Sequence, residues 1–343
     1  MMKKIKWILI SIVILLLGIF SLWKGYYFFV QKPNTIVNDQ GIFYIQAEDS
    51  FETIVQLLEQ KGYLESSYTF RKVAELKKYP QLIKAGRYRI KNGMNNNDLI
   101  NMLRSGQQEA VHFTFNNIRT LEEFASTAFQ QLAVDSIVFL NLVRDPAYVA
   151  SLGFTLENVI GLFIPNTYHI HWKPEAQEFV KRMHTEYLRF WNEERIKKAK
   201  KISLSPIDII VLASIIEEET NQIEEYPLIA GVYINRLKKG WKLEACPTLK
   251  YAWGDFTLKR ILTKHMEIES PYNTYKYIGL PPGPIRMPSI QVIDAVLNYT
   301  VHSYLFFCAK SDFSGKHHFS KTLREHNHYA ELYHRALNRM KIY

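Results

Sequence analysis

An α+β fold, built as a small and a larger part behind one apolar N-terminal helix, is what this sequence predicts. Three observations point there. An uncharged apolar run occupies residues 7–23, and no second one follows in the 343 residues. Short runs with two-residue alternation, such as residues 85–90, lie between longer stretches of helical spacing. The composition is 47% hydrophobic and 14% aromatic, enough for two modest cores and too apolar for a disordered chain. The formal charge of +10 favours polyanions and anionic lipid without fixing the fold. No dense Lys/Arg stripe or recognition motif supports nucleic acid as a partner. Cys246 and Cys308 lie far apart without metal-ligand spacing, and whether they pair is left open.

The N-terminus sets the expected compartment. Lys3, Lys4 and Lys6 precede the apolar run, and Lys24, Tyr26 and Tyr27 follow it. The run is at the short end of the roughly 17 to 25 residues that span a bilayer. Trp7, Trp23 and the tyrosines suit the interface, and the basic flank predicts a cytoplasmic start with an exported bulk. A cleaved signal peptide is the alternative. The residues after the run are large and aromatic, with no small-x-small cleavage site, so a retained single-pass anchor is expected over residues 1–30. Outside the cytoplasm, ATP and nicotinamide cofactors are not expected.

Residues 31–40 read as a short linker, and residues 41–110 as a compact unit. Residues 42–45 predict a strand. Asp49 with Glu52 gives a capping-box signal ahead of Phe51, Ile54, Val55 and Leu58, with Gly62 as the stop. A second helix is expected from about residue 66 to 77, before Pro80. A strand follows over 85–90, and a third helix over 97–105 stops at Gly106. This strand–helix–helix–strand order resembles a LysM-like βααβ glycan-binding module; a spacer with no ligand is the plain alternative. Residues 111–343 form the larger α+β part. There Val111 begins a strand, Thr120 and Glu123 make a second capping box, residues 161–168 read as turn and strand, and 176–200 as one charged, solvated helix.

Chemistry concentrates at residues 205–220. Ser205 caps, Pro206 takes the first helical position, and Asp208 sits where the helix dipole favours negative charge. The helix is almost wholly apolar to Ile216 and then carries Glu217, Glu218 and Glu219 at its end, where the dipole disfavours them. Three consecutive residues cannot share a face. Glu219 continues the stripe of Leu212, Ile215 and Ile216, at the edge of the buried side. A carboxyl half-buried there has its pKa raised, as a general acid working near neutral pH requires. A solvated helix end is the plainer reading of the same residues.

The ordered motifs Ala213-Ser-Ile-Ile-Glu-Glu-Glu-Thr220, Ala230-Gly-Val-Tyr-Ile-Asn-Arg-Leu237, Ser270-Pro-Tyr-Asn-Thr-Tyr275 and Gly279-Leu-Pro-Pro-Gly-Pro-Ile285 carry a resemblance. So do Tyr304-Leu-Phe-Phe, His317-x-Phe319-Ser-Lys-Thr322, Glu325-His-Asn327 and, upstream, Pro165-Asn-Thr-Tyr168. Together they resemble the endolytic murein transglycosylases, or YceG-like proteins. Two departures stand out: Cys246 precedes Pro247-Thr248 where the family usually has Asp, and Arg286-Met-Pro288 stands where Asn often precedes the proline.

The resemblance implies a catalytic domain over 111–343 with Glu219, the glutamate directly before Thr, as the catalytic acid and base. It implies substrate contacts at Asn273, Tyr275, Thr248, His317 and Glu325, with no metal and no cofactor. It implies peptidoglycan glycan strands as substrate, a bacterial inner membrane as the location, and peptidoglycan synthases as partners. The implied reaction cleaves the MurNAc–GlcNAc bond within strands and leaves 1,6-anhydro-MurNAc ends. A two-carboxylate muramidase using Glu217 or Glu218 and a non-catalytic wall-binding anchor are the alternatives. A zinc enzyme is a third, suggested by His317, His318, His326, His328 and His334, but no zinc-type spacing supports it.

Overall fold

The computed structural model describes residues 2–256, 258 and 261–340; the side chains of Met2 and Lys3 and the expected domain ends at residues 1 and 341–343 lie outside the described residues. The fold is mixed α+β. The chain divides into two compact units, Met1–His112 with His169–Lys173, and Phe113–Tyr168 with Pro174–Tyr343.

The first unit begins with helix α1 (Met2–Tyr26), which continues through one π-helical turn, Tyr27–Gln31. Residues Lys4–Gln31 are long and apolar enough to cross a membrane, and the most apolar stretch of that helix has no protein packed on it. Strand β1 (Ile42–Ile45), helices α2 (Phe51–Gln60) and α3 (Ser67–Leu76), and strand β2 (Gly86–Arg89) follow, then helix α4 (Asn96–Ser105). β1 and β2 pair antiparallel with Phe43 opposite Tyr88, so both rings point into one core. That core holds Ile54, Val55 and Leu58 of α2, Phe70 and Val73 of α3, and Leu99, Ile100 and Leu103 of α4, the faces expected from helical spacing.

Two local expectations for this unit need correction. The cap of α2 is Ser50, whose hydroxyl accepts from the Thr53 amide at 3.1 Å; Asp49 instead accepts from the Gln46 amide. Residues 31–40 are not a free linker. Asn34 and Thr35 are buried, each 4% exposed. The Asn34 amide donates to Ser66 and to Asn96 Oδ1 (2.7 Å), while Asn96 donates to the Phe29 carbonyl and to Thr69. Polar residues in a row read as linker by composition, but here they satisfy buried backbone groups.

The unit division falls within a pair of short strands, β3 (Val111–Thr114) and β4 (Thr167–Ile170). The second unit continues with α5 (Leu121–Leu132), α6 (Ser136–Val143) and α7 (Pro146–Ser151), then α8 (Ala176–Phe190) and α9 (Glu193–Lys201). Phe113, Phe124, Phe139, Phe163 and Phe179 form an aromatic core here. The charged helix expected over 176–200 is two helices, broken at buried Trp191; α8 turns Phe179, Val180 and Met183 inward, so only its other face is solvated.

Helix α10 (Pro206–Glu219) runs through the centre of this unit. Its first turn closes a complete capping box between Ser205 and Asp208, and residues 209–216 are all buried. It packs against α11 (Tyr226–Lys238), α12 (Cys246–Trp253) and α14 (Ile290–Leu297); the short α13 (Thr263–Met266) lies against α12. An antiparallel hairpin of β5 (Phe306–Ala309) and β6 (His317–Ser320) leads into α15 (Leu323–Arg339). Burial of side chains such as Ile209, Leu212, Ile215 and Ile216 contributes about 1.5–3 kcal/mol each, which fixes α10 firmly.

Replacing Asn96 with Ala removes one of the two acceptors of the Asn34 amide and the side-chain donor to the Phe29 carbonyl. We expect about 2 kcal/mol of lost stability in the first unit, read by chemical denaturation of the detergent-solubilised chain, with Asn96→Asp recovering less than half.

Candidate active site

The three glutamates at the end of α10 meet three different surroundings. Glu217 lies 3.2 Å from Arg286 Nε and accepts from the Ser289 amide. Glu218 accepts from Arg119 Nη2 (2.8 Å) and from Arg286 Nη1 (2.7 Å), and Arg286 is itself held by Asn117. Glu219 has no cation within salt-bridge distance among the described residues. Its one hydrogen bond among the described residues comes from the Tyr233 hydroxyl, 2.6 Å from Oε1. Burial pushes its carboxyl up from 4.5 to about 7, against the hydrogen bond from Tyr233 and the fields of Lys250 and Arg236, which pull it down.

Tyr233 projects from α11 and is 1% exposed, packed edge-on against Phe307 of β5. Burial, with the carboxyl beside it, holds its hydroxyl proton well above the usual tyrosine range, so it acts only as a donor. With Oε1 accepting that proton, Oε2 is the oxygen of Glu219 left for another partner. Glu219 is only partly covered: with Glu218, Thr220, Asn221, Gln222, Gly315 and His317 it lines a cavity of about 300 Å3. That is the lower end of the range for small-molecule sites.

His317 stands in the wall of this cavity, held by a buried carboxylate. Glu225, 5% exposed, accepts from the His317 amide (2.8 Å) and pairs with its ring Nδ1 (2.7 Å). A ring fixed through Nδ1 has Nε2 as its remaining polar edge. Tyr275 also comes close: its hydroxyl lies 3.2 Å from Cys246 Sγ, and burial raises both groups' pKa, with Glu219 adding to each.

The other expected contacts are structural. Asn273 is fully buried; its amide donates to the carbonyls of Met266 and Ile268, and its Oδ1 accepts from the amides of Tyr275 and Lys276. Thr248 is equally buried and bonds Ala245 and Thr274, joining the start of α12 to the same loop. Glu325 completes the capping box of α15 with Thr322. Asn273 and Thr248 thus have their hydrogen-bonding groups engaged inside the protein, whereas Glu325 is exposed and accepts through Oε2 from the amides of Lys321 and Thr322. Gly283 allows close approach, but to backbone and not to a ligand: a Cβ there would sit 1.8 Å from the Glu157 carbonyl. Both cysteines are free thiols. His318 stacks on Tyr329 and His326 on Phe306, and no group of metal-ligating side chains gathers among the described residues.

Sequence reasoning missed Tyr233, Glu225 and the Arg119–Arg286 clamp. Tyr233 carried a signal, since a tyrosine inside a buried helix must find a partner for its hydroxyl. The clamp gave none, because Arg119 and Arg286 are distant in sequence from the glutamates they bind.

The sequence matches the model of the YceG-like family over residues 43–331. This chain belongs to the YceG-like family. It is 29% identical over 304 residues to a protein of Bacillus subtilis (strain 168) named endolytic murein transglycosylase, covering 84% of this chain and 83% of that one. A protein of the same name from Streptococcus pneumoniae serotype 2 (strain D39 / NCTC 7466) is 28% identical over 300 residues, 79% of this chain; the chain spans 54% of that longer relative. The 2.6 Å crystal structure of a putative YceG-like protein from Listeria monocytogenes superposes with a TM-score of 0.56 at 28% identity, covering 84% of this chain and 98% of that one.

The raised carboxyl of this YceG-like chain has a stability signature. Folding lifts Glu219 from 4.5 to about 7, so the wild type is protonated in both states below pH 4.5 and is penalised as pH rises through 7. Glu219→Gln, neutral throughout, is therefore expected to melt close to wild type at pH 4.5 and measurably higher than wild type at pH 8.5, by calorimetry.

Proposed function

We propose that this chain cuts the glycan strands of peptidoglycan within their length, with Glu219 alone serving as acid and then as base. That the chain is a lytic transglycosylase follows from its family and from the curated relatives of that name. The observation that carries the assignment to Glu219 is its carboxyl, raised to about 7, in the wall of a cavity and bound by a single neutral donor.

The steps follow from that geometry. Protonated Glu219 gives its proton to the bridging glycosidic oxygen as the C1–O bond breaks and positive charge spreads over C1 and the ring oxygen. The carboxylate left behind is stabilised by the Tyr233 hydroxyl at Oε1. Oε2 then accepts the proton of the muramoyl C6 hydroxyl while that oxygen bonds to C1, closing the 1,6-anhydro ring. The proton balance closes on one side chain, and water takes no part. Glu217 and Glu218 are engaged by Arg119 and Arg286, so neither is offered as the separate base that a hydrolase needs.

The first unit supports two further parts of the proposal. Its β1–α2–α3–β2 order, closed by the antiparallel pair, supports a LysM-like glycan-binding module. The turn after α1 is tied to that unit through the Asn96–Phe29 bond and the Phe29–Tyr68 ring contact, which supports a retained single-pass anchor rather than a removable signal. The basic N-terminal flank supports an N-terminus in the cytoplasm and a catalytic unit outside.

Digested peptidoglycan analysed by mass spectrometry is expected to carry anhydro-muramoyl ends, and Glu219→Gln to slow their formation at least about a thousandfold. Reducing ends would instead indicate a muramidase. Tyr233→Phe removes a charge-assisted hydrogen bond of about 1.5–3 kcal/mol. It should therefore move the alkaline limb of the kcat profile up by about one to two pH units while lowering the maximum.

A further inference from the structure

The catalytic cavity takes one side of strand β5. On the other side lies a second hollow of about 510 Å3, whose walls include Trp241, Lys242, Ile278, Phe306, Lys321 and Leu323. Neighbouring residues of a strand face opposite ways. Phe307 turns toward Tyr233 and His317, with ring centroids at 5.7 and 5.4 Å, and Phe306 toward Trp241 at 6.1 Å. Two more elements straddle the same divide. On α11, Tyr233 binds Glu219, and one turn later Arg236 lies over the Phe306 ring at 5.1 Å and pairs with Glu244 at 2.9 Å. In the loop after α13, Tyr275 touches Cys246 while Ile278 opens into the hollow. Cavity and hollow are thus separated by one strand and one helical turn.

The hollow has an apolar floor and a basic rim. Ile278, Leu323 and Trp241 are 66%, 57% and 42% exposed, a concentration of uncovered apolar surface beside the site. The carboxylate of Glu244 is matched by Arg236, but the ammonium groups of Lys242 and Lys321 have no ion-pair partner among the described residues. Two uncompensated positive charges over aliphatic and aromatic surface fit a short apolar peptide that bears carboxylates.

We propose that this hollow holds the stem peptide of the peptidoglycan strand, an acidic branch of small residues, beside the saccharide being cut. The proposal rests on the glycan-cutting reading above. A bare saccharide fits less well: the strand being cut must run through the cavity on the far side of β5, and its one charge, the lactyl carboxylate of a muramoyl residue without peptide, is tethered directly to the ring there.

The test uses the full chain in nanodiscs with two forms of one glycan preparation, one with intact stem peptides and one stripped of them by an amidase. Wild type is expected to show a kcat/KM about tenfold higher on the peptide-bearing form, through KM, with the preference shrinking as salt is raised. Reversing both charges, Lys242→Glu with Lys321→Glu, should bring the ratio to about one, and Trp241→Ala should lower it. Lys201→Glu, on exposed α9, serves as the charge control and should leave the ratio alone. Equal wild-type rates on both forms, or a ratio that survives the double reversal, would overturn the proposal. So would an equal loss on both forms, which would mark a saccharide subsite. Glu219→Gln separates the two readings: if it still cuts either form at the wild-type rate, the catalytic reading falls first, whereas an inactive Glu219→Gln together with a ratio that the double lysine reversal leaves unchanged removes the peptide site alone.

Discussion

Glu219 ends a helix whose residues 209–216 are sealed inside the protein, so its backbone position is fixed by the packing of α10 on α11, α12 and α14. Held there, it meets one hydroxyl donor at 2.6 Å and an opening on its other side. The displacement from 4.5 to about 7 corresponds to a bias on the order of 3 kcal/mol toward the protonated form. That bias makes a carboxylic acid available at neutral pH. The bond from Tyr233 limits it, so that the carboxylate remains reachable once the proton has left. A stronger donor set would favour the ionised form, and loss of the donor would favour the neutral one.

The same helix end carries two more glutamates, and the fold treats them oppositely. Arg286 reaches both Glu217 and Glu218, and Arg119 reaches Glu218 from the loop before α5. Three like charges at the negative end of a helix dipole would repel one another. The two arginines offset two of those charges and leave the third without an ion pair among the described residues. The clamp thus sorts three chemically identical side chains into two that arginines hold and one whose carboxyl burial raises. It joins α10 to the loop after the Pro-Pro-Gly segment, which is further fixed by the Ile285 amide on Ser214.

The sequence made some of this legible. Burial of α10, its Ser205 cap and the position of Glu219 on the apolar edge follow from local spacing and rotation, which a linear reading captures. The β1–α2–α3–β2 order was readable for the same reason. What was not legible concerns polar residues whose hydrogen-bond partners composition and spacing do not specify. Asn34 looked like linker because its partners, Ser66 and Asn96, are distant. Asn273 and Thr248 looked like ligand contacts because a buried loop staple and a binding residue use the same polar side chains. Tyr233 sat inside a quoted motif, yet only the fold brings α11 beside the end of α10. Residue type and spacing therefore singled out Glu219, while tertiary pairing determined which neighbours set its environment.

The most direct measurement is the titration of the Glu219 side-chain carboxyl itself, by carbon NMR on glutamate-labelled full chain, assigned by its loss in Glu219→Gln. A midpoint near 7, moving upward in Tyr233→Phe, is the predicted result. A midpoint near 4.5, unmoved when the hydroxyl is removed, would mean an ordinary solvated carboxylate and would contradict the catalytic role given to it.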